Sequence, residues 1–444
     1  MKLVPLSLFA AAGFSMQAAL PPALQPEALR QLRPGNVLEV AEGPVETTGP
    51  ILIQDLQGTE ESPIIIRAAQ RGRVKITGRA GFSLKNCAHV VLEGFVFEND
   101  ANQQAVLLTD CHHVRITRCR FRLDESLKAR WSQFWVYILG SKSGHNRVDH
   151  NLFEHQTQRG SMVFTRGDDA TLTPSQHDRI DHNHFRDVVY ASDSNGHETL
   201  RTGSNDMGAS GKSTFTVIED NLLERCSGEQ EIVSLKSSEN IVRNNTFIDC
   251  RGSICLRLGN RSEVSENVML NPAGVIGVGG VKIYGFEHRV SGNHFDGLTG
   301  TGHEAPLALI PGLMDTESTD QIGKAYKDLT TAPATRVSIT QNVWINCSPL
   351  IFGQSKPDKE RPLTPNKVLF KDNIVAHTRP LTTPLIQAGL TRDLQTQDNV
   401  AVHHTKNTSN EPWAPWFHWH SEMPKGISAM PKRLTPADVG PDAP

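Results

Sequence analysis

Aromatic residues, charge of one sign and long apolar runs are all scarce in this sequence. Phe, Trp and Tyr make up 6% of the 444 residues, which argues weakly against a conventional aromatic-rich β-sandwich. The formal net charge of −3 excludes a globally basic surface for polyanions and leaves room only for a local basic groove. No apolar run is long enough to span a bilayer. Composition alone therefore predicts neither the fold nor the function, and both have to be inferred from the spacing of residues along the chain.

The first nineteen residues have the pattern of a secretory signal peptide. A lysine at position 2 precedes a short apolar run over residues 6–14, and small residues follow as far as Ala19. A buried first helix is the alternative interpretation. We expect residues 1–19 to be a signal peptide and the mature protein to be exported, either to the periplasm or out of the cell.

One short motif returns along most of the chain. A β-branched residue is followed by a small polar turn that ends in Asn, and then by an apolar residue. Intervals between successive asparagines include 24, 22 and 26 residues, and the longer ones of 32, 38 and 49 fit one repeat with an insertion, or two repeats. The motif asparagines are Asn151, Asn183, Asn221, Asn245, Asn267, Asn293, Asn342 and Asn373.

A period in the twenties with short β-rich segments predicts an all-β, single-domain parallel β-helix. No long amphipathic helix falls inside a repeat, which disfavours leucine-rich and helical repeats. Each coil would stack about 4.8 Å above the last. The motif asparagines would then form a ladder whose amides bond up and down the stack.

Three regions depart from the period. Residues 26–35 begin with proline and end in Pro-Gly, and we predict a short helix that covers the N-terminal mouth of the solenoid. Residues 304–333 are an insertion, predicted as a long loop near the groove. The predicted organisation is a signal peptide over 1–19, a β-helix domain with its cap over 20–402, and an irregular tail over 403–444 that packs back on the helix.

Seven cysteines is an odd number, so at least one is unpaired within the chain. Cys226, Cys250 and Cys347 each lie five residues after a motif asparagine. We expect them to form an inward stack of small apolar side chains. A disulfide between Cys226 and Cys250 on neighbouring coils is the alternative, although stacked free thiols suffice.

Two glutamates, Glu229 and Glu231, are candidates for a metal site. They are two residues apart and point the same way on a strand, where close carboxylates repel each other unless a proton or cation lies between them. Asn195 would add an amide oxygen. An all-oxygen set suits a hard cation such as Ca²⁺ rather than Zn²⁺. Two solvated glutamates and a turn asparagine are the alternative, which spacing alone does not exclude.

Three basic residues recur near one coil period. Lys236 and Arg257 are 21 residues apart, and we expect them to lie one above the other and to face solvent. Lys282 follows 25 residues later between two apolar neighbours, and Tyr284 shares its face. Basic residues stacked beside two carboxylates predict a groove for a linear acidic chain. Solvated basic residues on a β surface are the alternative.

The 18 histidines are scattered along the chain. Three pairs lack a zinc-type companion set and are interpreted as surface or turn residues: His112 and His113, His403 and His404, and His418 and His420.

Four segments resemble the family six polysaccharide lyases, which include alginate lyases and the dermatan-cleaving chondroitinase B. They are Asn-Gly-x-Glu-Thr-x-Arg at 195–201, Gly-Glu-x-Glu-Ile-x-Ser-x-Lys-Ser at 228–237, Leu-Arg-x-Gly-Asn at 256–260 and Gly-Val-Lys-Ile-Tyr-Gly at 280–285. The resemblance runs from the N-terminal helix to residues 435–441. It implies a right-handed parallel β-helix.

The resemblance also implies roles for individual residues. Calcium would be held by Asn195, Glu229 and Glu231. Lys236 would be the base, Arg257 the acid and Arg201 a substrate contact. The family pattern usually has Arg where this chain has Lys282, which leaves that substrate contact open.

This chemistry suits a uronate chain. The C5–H of a uronate becomes acidic once its carboxylate charge is neutralised, which bound Ca²⁺ would do. We therefore expect a monomeric lyase that acts on a 1,4-linked uronate polysaccharide, alginate above all, and leaves 4,5-unsaturated uronate ends. We expect neither a nucleic-acid partner nor membrane insertion. The alternatives are a dermatan sulfate lyase, a non-catalytic β-helix that binds acidic glycans, and a polygalacturonase-type hydrolase, for which no close Asp cluster is found.

Overall fold

The computed structural model describes residues 20–189, 195–313, 332–354, 359, 361–378, 384–402, 411–423 and 431–443. The predicted signal peptide and most of the predicted insertion at 304–333 lie outside these ranges. In the described part, nearly all regular structure belongs to three long parallel sheets. The arrangement confirms the predicted right-handed parallel β-helix.

Successive coils add strands to each sheet in turn. The first sheet contains 13 strands: Val37–Val40, Ile64–Ala68, Val90–Glu93, Arg115–Thr117, Arg147–Asp149, Arg179–Asp181, Val217–Glu219, Ile241–Arg243, Glu263–Ser265, Arg289–Ser291, Ser338–Thr340, Leu369–Lys371 and Gln395–Gln397. The second contains 14: Gly43–Thr47, Val74–Gly78, Val96–Phe97, Arg120–Phe121, Leu152–Gln156, His184–Val188, Leu222–Cys226, Thr246–Ile248, Val268–Leu270, His294–Asp296, Val343–Ile345, Ile374–Ala376, Asn399–Val402 and Phe417–His420. The third contains 12: Ile51–Gln54, Phe82–Lys85, Val106–Thr109, Gln133–Leu139, Gly160–Gly167, Leu200–Gly203, Glu231–Lys236, Gly252–Leu258, Val278–Ile283, Leu307–Leu309, Leu350–Phe352 and Ile386–Ala388.

Helices are short in the described residues. The α-helices are Pro26–Arg30 and Asn205–Ala209, and the 3-10 helices are Pro22–Leu24, Gly302–Glu304 and Ala414–Trp416. The N-terminal helix is shorter than the predicted 26–35, but Leu24 and Leu29 bury themselves at the mouth of the core as a cap requires. None of the described helices has the length and hydropathy needed to cross a membrane.

The motif asparagines form the predicted ladder inside the turn between the first and second sheets. Each side-chain NH₂ donates to the side-chain oxygen of the next coil at 2.9–3.1 Å, from Asn151 through to Asn399. The residue before the asparagine adopts a left-handed φ, for example 54° at Asp220 and 54° at Glu266. The polar turn of the motif provides this conformation, which Asn and Asp tolerate better than bulky residues.

In the core of the solenoid, side chains of the same type stack from one coil to the next. Phe97, Phe121, Phe153 and Phe185 form a column with ring centroids 4.7, 4.3 and 4.9 Å apart. The three cysteines that follow the motif asparagines are buried, and all seven cysteines of the chain are free thiols. The alternative disulfide between Cys226 and Cys250 is therefore not formed.

The insertion and the tail are more regular than the sequence indicates. Within the predicted loop 304–333, Leu307–Leu309 forms a strand of the third sheet, so the loop prediction is wrong there. Within the tail, Phe417–His420 adds the last strand to the second sheet. Residues 431–443 then run back outside the solenoid, where Gly440 N–H donates to the His182 carbonyl at 2.8 Å.

Candidate active site

Five of the predicted site residues lie on the outer face of strands of the third sheet, and Asn195, Glu229 and Tyr284 lie in the segments that flank those strands. On this face the register aligns Phe164, Arg201, Ser234, Cys255 and Lys282 in one column along the axis of the solenoid. Arg201 lies over the Phe164 ring, with its guanidinium carbon 4.5 Å from the centroid. The column brings five residues that span positions 164 to 282 onto five successive coils.

A β-bulge changes the expected stacking of Lys236 and Arg257. The register shifts between Leu235 and Lys236, so Lys236 pairs with Leu258 rather than with Arg257. The prediction that the two cations lie directly one above the other is therefore wrong. Bulges re-aim side chains next to functional sites. Here the bulge leaves Arg257 beside Tyr284 on the next coil, with its guanidinium carbon 5.1 Å from the ring centroid.

Three glutamates, not two, form the acidic centre. Glu198, Glu229 and Glu231 are all buried, and each offers a carboxylate oxygen within 4.8 Å of the other two. Glu198 is not among the candidate ligands predicted from the sequence, although it lies inside the segment 195–201 that carries the family resemblance. Its Oε2 atom is buried and has no hydrogen-bond partner among the described residues.

Asn195 has a different environment from the glutamates. Its residue is exposed, and its backbone carbonyl accepts a hydrogen bond from the Arg159 guanidinium. The backbone N–H of the next residue, Gly196, lies near enough to the Glu229 carboxylate to act to lower its pKa. Asn195 therefore borders the acidic centre from the solvent side.

Glu229 and Glu231 have pKa values shifted in opposite directions, because their charged neighbours differ. Burial and the carboxylates of Glu198 and Glu231 raise the pKa of Glu229 to about 8. Burial also acts to raise the pKa of Glu231, but the positive charges of Lys282, Lys236 and Arg257 outweigh it and lower that pKa. The centre thus holds one carboxyl, that of Glu229, which keeps a proton near neutral pH. Close carboxylates without a bound metal ion between them behave in this way.

Three cations surround this centre, and they are less exposed than the sequence suggests. Lys236 Nζ donates to Glu198 Oε1 at 2.9 Å. Arg257 Nε and Lys282 Nζ lie 3.6 and 3.9 Å from Glu231 Oε1. Their side chains are only 12%, 25% and 5% exposed, so the prediction that Lys236 and Arg257 face open solvent is wrong. The three cations are thus largely covered and lie within ion-pairing distance of the acidic centre.

The interpretation of the histidines also needs correction. The fold supplies His112 and His113 with a companion, because His89 from the preceding coil lies beside them. His418 and His420 are exposed on the last strand of the second sheet, as expected of surface residues. His403 and His404 lie outside the described residues.

Comparison with known proteins gives a consistent set of relatives. The sequence model of the chondroitinase B family matches residues 24–411. The structure of a PL6 family alginate lyase, AlyGC, has a TM-score of 0.73 at 26% identity, covering 89% of this chain and 52% of that one. A mannuronic acid specific family 6 lyase from human gut microbiota has 0.72 at 23% identity, covering 89% and 88%. A PL6 family lyase from Pseudopedobacter saltans has 0.68 at 21% identity, covering 94% and 96%.

The lengths of these relatives differ. The chain spans about half of the first structure and most of the other two. No curated protein sequence matches it.

Proposed function

This chain belongs to the chondroitinase B family, the family six polysaccharide lyases, and from that membership we propose that it cleaves a 1,4-linked uronate polysaccharide by β-elimination. The observation that carries the proposal is the group of three buried carboxylates that faces three cations on one outer sheet face. Alginate is the favoured substrate, because the related structures include alginate lyases. The signal pattern of residues 1–19 supports export of the enzyme.

The acidic centre fits a calcium ion. Ca²⁺ takes hard oxygen ligands, and Glu198 Oε2 offers one, since it is buried without a hydrogen-bond partner among the described residues. Glu198, Glu229 and Glu231 would hold the ion, and Asn195 would complete the set from the solvent side. When bound, calcium would neutralise the substrate carboxylate next to C5 and so make the C5 proton removable.

Lys236 is the proposed base. It accepts the C5 proton only as a neutral amine, so Glu198, which pairs with its ammonium in this structure, has to take another partner during turnover. The electron pair of the C5–H bond forms the C4=C5 double bond, and the C4–O4 bond breaks. Lys236 Nζ lies 2.9 Å from Glu198 Oε1, which places the amine beside the acidic centre where the proton would be taken.

Arg257 is the proposed partner of the leaving oxygen. A guanidinium keeps its charge at any working pH, so it stabilises the departing O4 oxyanion. Its place over Tyr284 and beside Glu231 holds the planar group in one orientation. Lys282, almost fully buried, would bind a substrate carboxylate rather than exchange a proton, and Arg201 would contact the chain on the N-terminal side.

Ultraviolet absorbance of the unsaturated product tests the proposal. Alginate and dermatan sulfate are presented side by side to the full chain with calcium, and Lys236→Ala is the control for contaminating lyase. We expect absorbance to rise with alginate and not with the control. A rise with dermatan sulfate alone would show that dermatan sulfate, and not alginate, is the substrate. No rise with either polysaccharide would reject the lyase proposal.

A further inference from the structure

Histidines form a stacked ladder at the turn that leads into the first sheet. His89, His113, His145 and His177 succeed one another with ring centroids 4.5, 4.8 and 4.8 Å apart, and Phe215 continues the stack at 4.9 Å. Each of these residues has a left-handed φ between 49° and 58°. The ladder lies on the part of the solenoid that precedes the first sheet, away from the acidic centre on the third.

One coil adds a second imidazole to the ladder. The position before the ladder residue is aligned by backbone bridges from coil to coil, and it is occupied by Ala88, His112, Gly144 and Gln176 in turn. His112 is therefore an exception in a position where other coils have an aliphatic, a glycine or an amide. The substitutions that other coils already carry show that the turn does not need a histidine there.

The spacing of these nitrogens matches a metal site. His112 Nδ1 and His113 Nδ1 are 3.0 Å apart, and their rings are close to perpendicular at 86°. Two nitrogens bound to one zinc ion at ~2.0–2.1 Å lie roughly 3 Å apart. A nitrogen of His89 completes a set of three within 4.8 Å, and the exposure of His112 and His113 leaves both rings room to turn.

The ligand type of the cluster also suits such a metal. Imidazole nitrogens are ligands that Zn²⁺, Ni²⁺ and Cu²⁺ prefer, whereas Ca²⁺ and Mg²⁺ take oxygen. The exposed carboxylate of Glu60 is near enough to act on His113, which leaves an anionic group at the margin of the site.

We propose that His89, His112 and His113 form a binding site for an imidazole-preferring divalent transition metal such as Zn²⁺. The site is independent of the proposed lyase function and of the carboxylate centre, which offers only hard oxygen ligands. A bound ion would link two consecutive coils, because His89 belongs to one and the other two residues to the next.

Zinc titration of the full chain by calorimetry tests this proposal, with saturating calcium present to occupy the carboxylate centre. The variants are His112→Gln, which copies the residue of another coil, and His145→Ala, which removes a ladder ring whose coil has Gly144 in place of a second histidine. We expect one zinc per chain, weakened at least tenfold by His112→Gln and less than about twofold by His145→Ala. Melting of the wild type, but not of His112→Gln, should shift upward with zinc.

Three results would overturn the site: no zinc binding by the wild type, equal binding by His112→Gln, or loss of binding in Glu231→Gln with retention in His112→Gln. The third result would place the zinc at the carboxylate centre. Circular dichroism of each variant separates loss of a ligand from loss of fold.

Discussion

Lys236 and Glu198 form the shortest ion pair of the candidate active site, at 2.9 Å, with side chains that are 12% and 1% exposed. Lys236→Ala would leave the Glu198 carboxylate buried and unpaired, so we predict two separate effects. Turnover should fall by ~10²–10⁴, the usual contribution of a general base, and stability should fall by roughly 1–3 kcal/mol. Initial rates and urea unfolding measure the two effects.

Two comparisons make this test specific. Lys371→Ala changes a lysine far from the site and should alter neither quantity. Lys282→Ala should raise KM more than it lowers kcat, since Lys282 is proposed to bind substrate. A nearly normal kcat for Lys236→Ala beside an inactive Lys282→Ala would show that the base lies on another coil.

Calcium binding should depend on Glu198 as strongly as on the two predicted glutamates. We predict that Glu198→Gln and Glu231→Gln each reduce the rise in melting temperature that calcium produces, because each removes one ligand charge. Asn195→Ala should have a smaller effect, since Asn195 is exposed and neutral. Equal melting shifts in Glu198→Gln and the wild type would remove Glu198 from the site.

The same centre should show a pH dependence. The pKa of Glu229 lies near 8 in the folded protein against an ordinary value of 4.5. Between these values the folded state binds the extra proton, so metal-free stability should decline as pH rises through this range. Calcium has to displace that proton, and its affinity should rise from about pH 6 to pH 8. Calorimetry across this range should show proton release on binding that disappears above it.

At the scale of elements, the asparagine ladder holds the coils in register. Asn245 donates to the Ile218 and Arg243 carbonyls and to Asn267 Oδ1, while its own oxygen accepts from the backbone and the side chain of Asn221. We predict that Asn245→Ala costs roughly 3–5 kcal/mol, because several buried groups lose their partners together. Asn399→Ala at the end of the ladder should cost less. Urea unfolding of both variants decides, and equal costs would contradict a cooperative ladder.

The sequence predicted these elements well and their register poorly. The spacing of Asn221, Asn245 and Asn267 equals the number of residues in each coil, because a ladder residue must recur once per turn. Counting residues failed at Lys236 and Arg257, because Arg257 is itself the extra residue of a bulge between Leu256 and Leu258, which no periodicity reveals. Glu198 could not be assigned for a related reason: its distance from Glu231 depends on the path of the segment before Leu200, which lies outside the repeat.

At the scale of the whole molecule, acid should weaken the fold through its internal ion pairs. Burial acts to raise the pKa of Asp149, but hydrogen bonds from Arg115 and His150 outweigh it and hold that pKa below its ordinary value. This contribution to stability is complete above the unfolded value of about 3.9 and is lost as pH falls through the folded one. We predict that Asp149→Asn is less stable than the wild type by about 1.5–3 kcal/mol at pH 7.

The difference between Asp149→Asn and the wild type should shrink as pH falls below about 4. The unfolded wild-type chain then takes up a proton at Asp149, while the folded chain keeps the carboxylate ionised until the pH nears its lowered pKa. Urea unfolding at pH 7 and below pH 4 measures the difference. Asp393→Asn, at an exposed turn, should follow the wild type at every pH. A gap that stays constant with pH would show that the loss comes from packing and not from charge.

Contacts that join distant parts of the chain were beyond sequence reasoning. Arg118 donates to the carbonyls of Pro441 and Ala443, and Leu434 N–H donates to the Thr246 hydroxyl. These bonds span 188 to 325 residues and follow no period. They depend on where an irregular segment happens to lie against the second sheet, which composition indicates only as a tendency to pack.

The asparagine ladder also has a direction. From Asn151 to Asn373, each side-chain NH₂ donates to the amide oxygen of the coil that follows, so the amides form a chain of dipoles aligned head to tail. Backbone groups close its two ends: Cys119 N–H donates to Asn151, and Asn399 donates to the Trp416 carbonyl. Such a chain tolerates loops of any length between its members, as the intervals of 22 and 49 residues show. Because each coil contributes one asparagine to the ladder, an insertion or deletion that preserves the ladder has to add or remove a whole coil or lie in a loop between asparagines.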